Sequence, residues 1–147
     1  MPEDRRNRLT SACNFTRIER ETFDGADLSS ASLNHLRLDR CSLVAADLRH
    51  ATLDYCSFRF CDLRRASLRG ASLRFASFAG CDLRDTNLRD CDLTGTQFGF
   101  VNTGDETGRT NMTGVATGHS TLDRATFEWV IGWPPAPAMA KSRFRDA

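Results

Sequence analysis

The 147-residue chain lacks an excess of charge of either sign: 20 basic residues stand against 19 acidic ones, for a net charge of +1. No global field marks it as a nucleic-acid binder or as an acidic mimic. Lysine is nearly absent, with Lys141 alone beside 19 arginines. No apolar run approaches the roughly 18 residues that a membrane span needs, and the opening MPEDRRNRLTSACNF has no apolar signal segment. These absences argue against secretion or membrane insertion and point to a cytoplasmic protein. Phosphate-cradling glycine motifs are missing, and so are the C-x2-C pairs that hold metal. His35, His50 and His119 have no Ser, Cys or carboxylate set beside them in triad fashion. Neither an enzyme nor a cofactor is expected. The length fits one domain.

What the chain has is a period of five. A large apolar residue, position i, recurs at every fifth place from Ile18 to Phe98, 17 times in succession, and is always Ile, Leu or Phe. Position i−2 is Ala, Cys or Thr at 15 of those 17 places, the exceptions being Glu21 and Leu36. Position i−1 is mostly Asp, Ser, Thr or Asn. Such a period fits neither a helix nor a simple strand. It fits short extended stretches, each followed by a corner, with i and i−2 pointing inward as two-residue alternation requires. Four corners close a square coil of 20 residues. The spacing supports this, since Phe58, Phe78 and Phe98 are 20 apart, as are Cys41, Cys61 and Cys81. The expected class is all-β, a parallel β-helix whose coils stack at about 4.8 Å.

The period, A/C–D/S/N–L/F–x–x, resembles that of the pentapeptide-repeat family, with ADLSSASL, CDLRRASLRGASL and CDLRDTNLRDCDL carrying the resemblance. The resemblance spans residues 16–100 and implies a right-handed, four-sided β-helix. The best-understood members bind DNA gyrase as dimeric rods and protect it from inhibitors such as quinolones; some mimic duplex DNA. The resemblance therefore implies a non-enzymatic partner of DNA gyrase or topoisomerase IV, acting in antibiotic resistance or self-immunity. The alternative is an interaction scaffold for an unrelated protein. Known mimics are strongly acidic, whereas this chain is near neutral, so mimicry by the whole rod is not implied.

After Phe98 the frame breaks at GFVNTGDETG, residues 99–108, which reads as a projecting loop. The period then resumes with Met112, Thr117, Leu122 and Phe127 at i and Val115, Ser120 and Ala125 at i−2. The expected organisation is an N-terminal cap over 1–15, including Leu9, Cys13 and Phe15, then about five coils over 16–128. The segment 129–147 follows as a C-terminal cap and tail, with Pro134, Pro135 and Pro137 ending regular pairing. Phe127, Trp129, Ile131 and Trp133 lie just past the last coil. They either close the end of the rod or also form a two-fold dimer there, as the resemblance implies.

Five cysteines (41, 56, 61, 81 and 91) fall at i−2 and read as small packing residues, with disulfides or metal as the alternative. Arg59, Arg64, Arg69 and Arg74 occupy i+1 of four successive units. With Arg65 and Asp62 they give residues 59–74 a net charge of +4. Asp82, Asp85, Asp90, Asp92, Asp105 and Glu106 against Arg84 and Arg89 give residues 82–106 a net −4. Partners for Arg49, Arg64 and Arg84 are expected in Asp47, Asp62 and Asp82, two residues back on the same outer face. The basic waist and acidic collar, together with Phe100 and Asn102 of the loop, are the candidate partner-binding residues. The alternative is a solvated surface of local ion pairs. His35, Tyr55 and Phe75 form one i+2 column, and Phe60 and Phe100 belong to another. These corner aromatics either fold back onto the coil or form a stripe for a partner.

Overall fold

The computed structural model describes residues 7, 9, 10 and 16–133. Six parallel strands stack in sequence order: β1 (Arg17–Glu19), β2 (Arg37–Asp39), β3 (Ser57–Arg59), β4 (Ser77–Ala79), β5 (Gln97–Gly99) and β6 (Thr126–Phe127). Register advances by 20 residues at each of the first four steps, carrying Ile18 to Leu38, Phe58, Phe78 and Phe98. Three columns of single parallel bridges, such as Ser42–Asp62–Asp82, Asp47–Ser67–Asn87 and Thr52–Ser72–Asp92, make the other three sides. The chain is a four-sided parallel β-helix.

The corners explain the period. Position i+2 takes a left-handed backbone along the helix, with φ from 53° at Phe60 to 78° at Gly114. That region is uncommon for residues other than glycine. Among the described residues 15 other than glycine adopt it, all of them at i+2. At most corners the i+3 amide bonds back to the carbonyl of i, as from Ala66 to Leu63 (3.1 Å) and Ala71 to Leu68 (2.9 Å). With φ positive at its third place this is the type II turn pattern.

The corners after β1, β2, β3 and β4 are open bends without that bond. The carbonyls of Ile18, Leu38, Phe58 and Phe78 accept instead from side chains one coil on. The donors are the thiols of Cys41 (3.4 Å), Cys61 (3.2 Å) and Cys81 (3.2 Å), then the hydroxyl of Thr110 (3.1 Å). A residue small enough for i−2 and able to donate is what this column needs, because a buried carbonyl without a partner is costly.

Every i residue from Phe23 to Phe98 is buried. The rings of Phe58, Phe78, Phe98 and Phe127 stack nearly parallel down one side of the interior, with centroids 4.7, 5.2 and 5.0 Å apart. Position i−1 has a separate task. Its Asp or Asn side chain accepts from the amide of i+1, as Asp62 does from Arg64 (3.1 Å) and Asn87 from Arg89 (3.0 Å).

Across the loop the register step becomes 29 residues: Phe98 pairs with Phe127, Asp82 with Asn111 and Asp92 with Thr121. The nine extra residues leave at Gly99 and return at Thr110, whose N–H bonds the Gly99 carbonyl (3.2 Å). Thr110, Met112, Val115, Thr117, Ser120 and Leu122 are buried, so the shifted frame continues the interior. At the other end Leu9, in a helical turn with Asn7 and Thr10, is buried in the same core. Cys13 and Phe15, and the tail from Pro134 onward, lie outside the described residues. Among the described residues no helix is long and apolar enough to cross a membrane.

Candidate binding surfaces

Arg59, Arg64, Arg69 and Arg74 of the waist are each met by carboxylates on their own or adjacent coils. Arg64 grips Asp62 through Nε and Nη2 (2.9 and 2.7 Å) and reaches Asp82 one coil on (3.7 Å). Arg69 meets Asp90 (3.0 Å), Arg74 meets Asp92 (3.7 Å), and Arg59 lies 3.9 Å from Asp39. Waist and collar therefore face one another as ion pairs across the coil boundary, and their opposite fields cancel within about one Debye length, ~8–10 Å. Arg49 with Asp47 and Arg84 with Asp82 form the same two-residue fork as Arg64 with Asp62. The Arg49 hydrogen bond holds Asp47 below the usual carboxylate range. For Asp82 burial pushes upward, but the hydrogen bonds and charge of Arg84 prevail and its pKa is lowered.

Asp39 was not among the residues the sequence pointed to. It is almost fully buried, and its carboxylate takes Arg17 Nη2 and Arg40 Nη1, both at 2.7 Å. Burial alone would raise its pKa; the two guanidinium groups reverse this and lower it. The register puts these arginines together, one from the preceding coil and one from the adjoining corner. A signal was present in the 20-residue column of Glu19, Asp39 and Arg59, which sets a basic residue one coil after it.

The loop is ordered by its own polar groups. The Asp105 carboxylate accepts from the Thr107 amide (2.9 Å) and from the hydroxyls of Thr107 (2.5 Å) and Thr103 (2.9 Å). Those bonds, the Thr107 hydroxyl first, lower its pKa. Asn102 accepts from the Gly104 amide (3.1 Å), and Glu106 begins a 3-10 turn, Glu106–Gly108. Phe100 pairs with Arg109 at the neck and meets Trp129 edge to face at 5.0 Å.

The four aromatic and aliphatic residues of the C-terminal end separate into two kinds. Phe127 continues the phenylalanine stack and is covered by Trp133, whose ring lies 3.9 Å away and parallel within 6°. Ile131 pairs with Asn111, and its amide bonds Thr110 (2.9 Å). Arg109 ties this end down by donating to the carbonyls of Trp129 and Val130, both at 2.8 Å. Trp129 itself is 56% exposed.

The corner aromatics lie along their columns. His35, Tyr55 and Phe75 form one stack, with centroids 5.0 and 5.4 Å apart. Phe75 ends against Gly95, Phe60 against Gly80 and His50 against Gly70, in each case the residue 20 positions on. A side chain at any of these glycines would collide with the ring.

The five described thiols are free, buried and turned to carbonyls. Burial pushes Cys56 and Cys91 up to about 12. Among the described residues no group of His, Cys, Asp and Glu is placed to hold a metal ion.

With the coil geometry established, comparison with known proteins gives the class. The pentapeptide repeat region family matches residues 13–98, more than half of the chain. The chain belongs to the pentapeptide-repeat family. No curated protein matches it. Among solved structures it is similar to the trypsin-treated form of QnrB1, a plasmid-mediated fluoroquinolone resistance protein, at 21% identity and a TM-score of 0.50, over 95% of this chain and 75% of that one. It is also similar to alr5209, a pentapeptide repeat protein from Nostoc PCC 7120, at 23% identity and a TM-score of 0.49, over 84% of both chains. At 21% identity the likeness to QnrB1 is one of fold.

Proposed function

We propose that the protein is a non-enzymatic binding rod for a type II topoisomerase, DNA gyrase or topoisomerase IV, which it protects from inhibitors. The observation that carries the reading is the nine-residue excursion between Gly99 and Arg109, an ordered projection on an otherwise continuous rod. Loop residues Phe100, Asn102, Asp105 and Glu106, with Asp90 and Asp92 of the collar, are the residues we assign to the contact; Arg64, Arg69 and Arg74 hold the collar from the adjoining coil, and Arg59 faces Asp39. The fluoroquinolone resistance protein QnrB1, of like fold, makes gyrase the first partner to test. Exposed Trp129 is the residue we place in a two-fold contact between copies.

The test is DNA supercoiling by purified gyrase, with and without a fluoroquinolone. The expected result is altered supercoiling, or rescue from the drug, at micromolar protein. Removal of residues 100–108 should abolish it while leaving the fold intact. No effect with or without drug would refute the reading. Light scattering should give a dimer, and Trp129→Asp a monomer.

A second reading, a scaffold for an unrelated protein, draws support from the pairing of waist and collar. That pairing leaves no extended acidic surface of the kind a whole-rod mimic needs. Affinity capture that recovers another protein and no topoisomerase would favour it.

A further inference from the structure

Tyr55, Phe75 and Trp129 are the exposed large hydrophobic residues among those described, at 55%, 41% and 56% exposure. All three lie on the two corners that bound one face, the outer face of the β1–β6 sheet. Tyr55 and Phe75 precede β3 and β4 on one edge; Trp129 follows β6 on the other, with Phe60 and Phe100 in its column. Between these rims the floor is low along β4 and β5, whose outward residues are Ser77, Ala79, Gln97 and Gly99, while β3 presents Ser57 and Arg59. Two hollows result, of about 360 Å³ around Ala79 and Gly99 and about 160 Å³ between Arg37 and Arg59. The face is about three extended residues wide, roughly 10 Å, which is room for a single chain.

We propose that this face is a docking groove for an acidic, proline-containing segment of a partner protein, bound as a polyproline-II helix along the rod axis. Three features select that occupant. First, the amides and carbonyls of β1–β6 point along the rod and are used by the ladder between coils, so an added strand finds no edge to pair with. A polyproline-II segment needs no such pairing and is recognised by aromatic rims and isolated donors. The Tyr55 hydroxyl and the Trp129 indole N–H are donors placed on opposite rims. Second, the N-terminal half of the face and its corner carry Arg17, Arg20, Arg37, Arg40 and Arg59 against Glu19 and Asp39, a net +3. Arg37 and Arg20 make no ion pair among the described residues. Third, the ring faces are occupied. Tyr55 is sandwiched by His35 and Phe75, Phe75 rests on Gly95, and Arg40 and Arg59 lie over Phe60 at 4.9 and 5.4 Å. Base stacking needs an open ring face. These rings offer edges instead, which suit proline and aliphatic groups, and Glu128 beside the larger hollow confines the acidic residues of the segment to the arginine-bearing N-terminal half.

From the Leu38 rung to the Phe127 rung the groove is four steps long, about 19 Å, or about six residues of polyproline II. This surface goes beyond the topoisomerase reading, and its test contains no topoisomerase.

The experiment is fluorescence anisotropy of the full chain with labelled peptides of about twelve residues. One is acidic and proline-rich, one basic and proline-rich, and one acidic without proline; a single-stranded oligothymidylate of similar length is the fourth probe. The expected result is saturable binding of the acidic proline-rich peptide alone. Tyr55→Ala with Phe75→Ala should weaken it about tenfold or more, as loss of aromatic anchors does. Gly99→Leu is the second variant. A Cβ there meets open space and the residue is not in the left-handed region, so the fold survives while the floor is filled. It should weaken binding by a similar factor with an unchanged circular dichroism spectrum. Failure of the acidic proline-rich peptide to bind, equal binding of all three peptides, oligothymidylate bound in their place, or indifference to Gly99→Leu would each overturn the proposal.

Discussion

Between Phe23 and Phe98 the interior is filled by Leu and Phe at i, with mostly Ala or Cys at i−2. Between Thr110 and Leu122 the same inward positions hold Thr110, Met112, Val115, Thr117 and Ser120, and the coil is still square and in register. The two regions differ in chemistry and agree in geometry. What they share is a corner every five residues, a backbone ladder and, at some i−2 positions, a thiol or hydroxyl that donates a hydrogen bond. Ser120 donates to the Leu88 carbonyl as Cys91 does to Leu68, and Thr110 to Phe78 as Cys81 does to Phe58. Thiol and hydroxyl are interchangeable there. Among the described residues no buried side-chain nitrogen or oxygen lacks a partner.

The chemical difference between the regions should show as a difference in stability. Leu68 is fully buried at mid-rod, with coils on both sides. Leu68→Ala should cost about 2–5 kcal/mol by urea unfolding, the range for a large buried side chain cut to Ala. Thr117→Leu, at the equivalent position after the loop, should fall within about 1.5 kcal/mol of the parent because the site gains apolar area but loses a satisfied hydroxyl. Equal losses at both sites would erase the contrast.

Trp133→Ala strips the cover from Phe127. It should accelerate amide exchange in residues 109–131 while leaving the coils before the loop unchanged, since a solenoid repeat is held by its neighbours. Acceleration along the whole rod would show that the coils unfold as one.

Removing residues 100–108 joins Gly99 to Arg109 and restores the period: Phe98 at i, Arg109 at i+2, Thr110 at i−2 and Met112 at the next i. Stability should change by about 1 kcal/mol or less, because loop-closure entropy varies slowly with length. A deletion variant that fails to fold would mean the two regions do not share one register.

The smallest effect concerns pH. Asp39, Asp47 and Asp82, all before the loop, have pKa values lowered in the folded state. Their stabilisation is present above the ordinary Asp range and lost as pH falls through it towards their folded values. Asp39→Asn should flatten the acid side of the stability curve, measured as urea midpoint against pH. An unchanged slope would remove Asp39 from the account.

The repeat made most of this fold readable. The period placed Leu68 inside and Arg64 beside Asp62, and the broken frame located the loop and the shifted interior of Met112 and Leu122. What it left unresolved depends on contacts between coils. Arg69 with Asp90 and Arg17 with Asp39 are 21 and 22 residues apart, just off the 20-residue column, so their meeting depends on side-chain reach. The stacking of Phe75 on Gly95 needs the ring's direction as well as its column. For the candidate surfaces, the sequence named the residues but not their pairing, which turned a waist and a collar into a ladder of ion pairs.

The central claim is that one register runs through the loop, so that Phe127 continues the column of Phe98 and the surfaces on both sides of the loop form one rod. Nuclear Overhauser contacts from the Phe98 ring test it most directly. The account predicts contacts to Phe78 on one side and Phe127 on the other, with centroids near 5.2 and 5.0 Å. Contacts from Phe98 to Gly118 or His119, the residues an uninterrupted 20-residue step would place there, would contradict it.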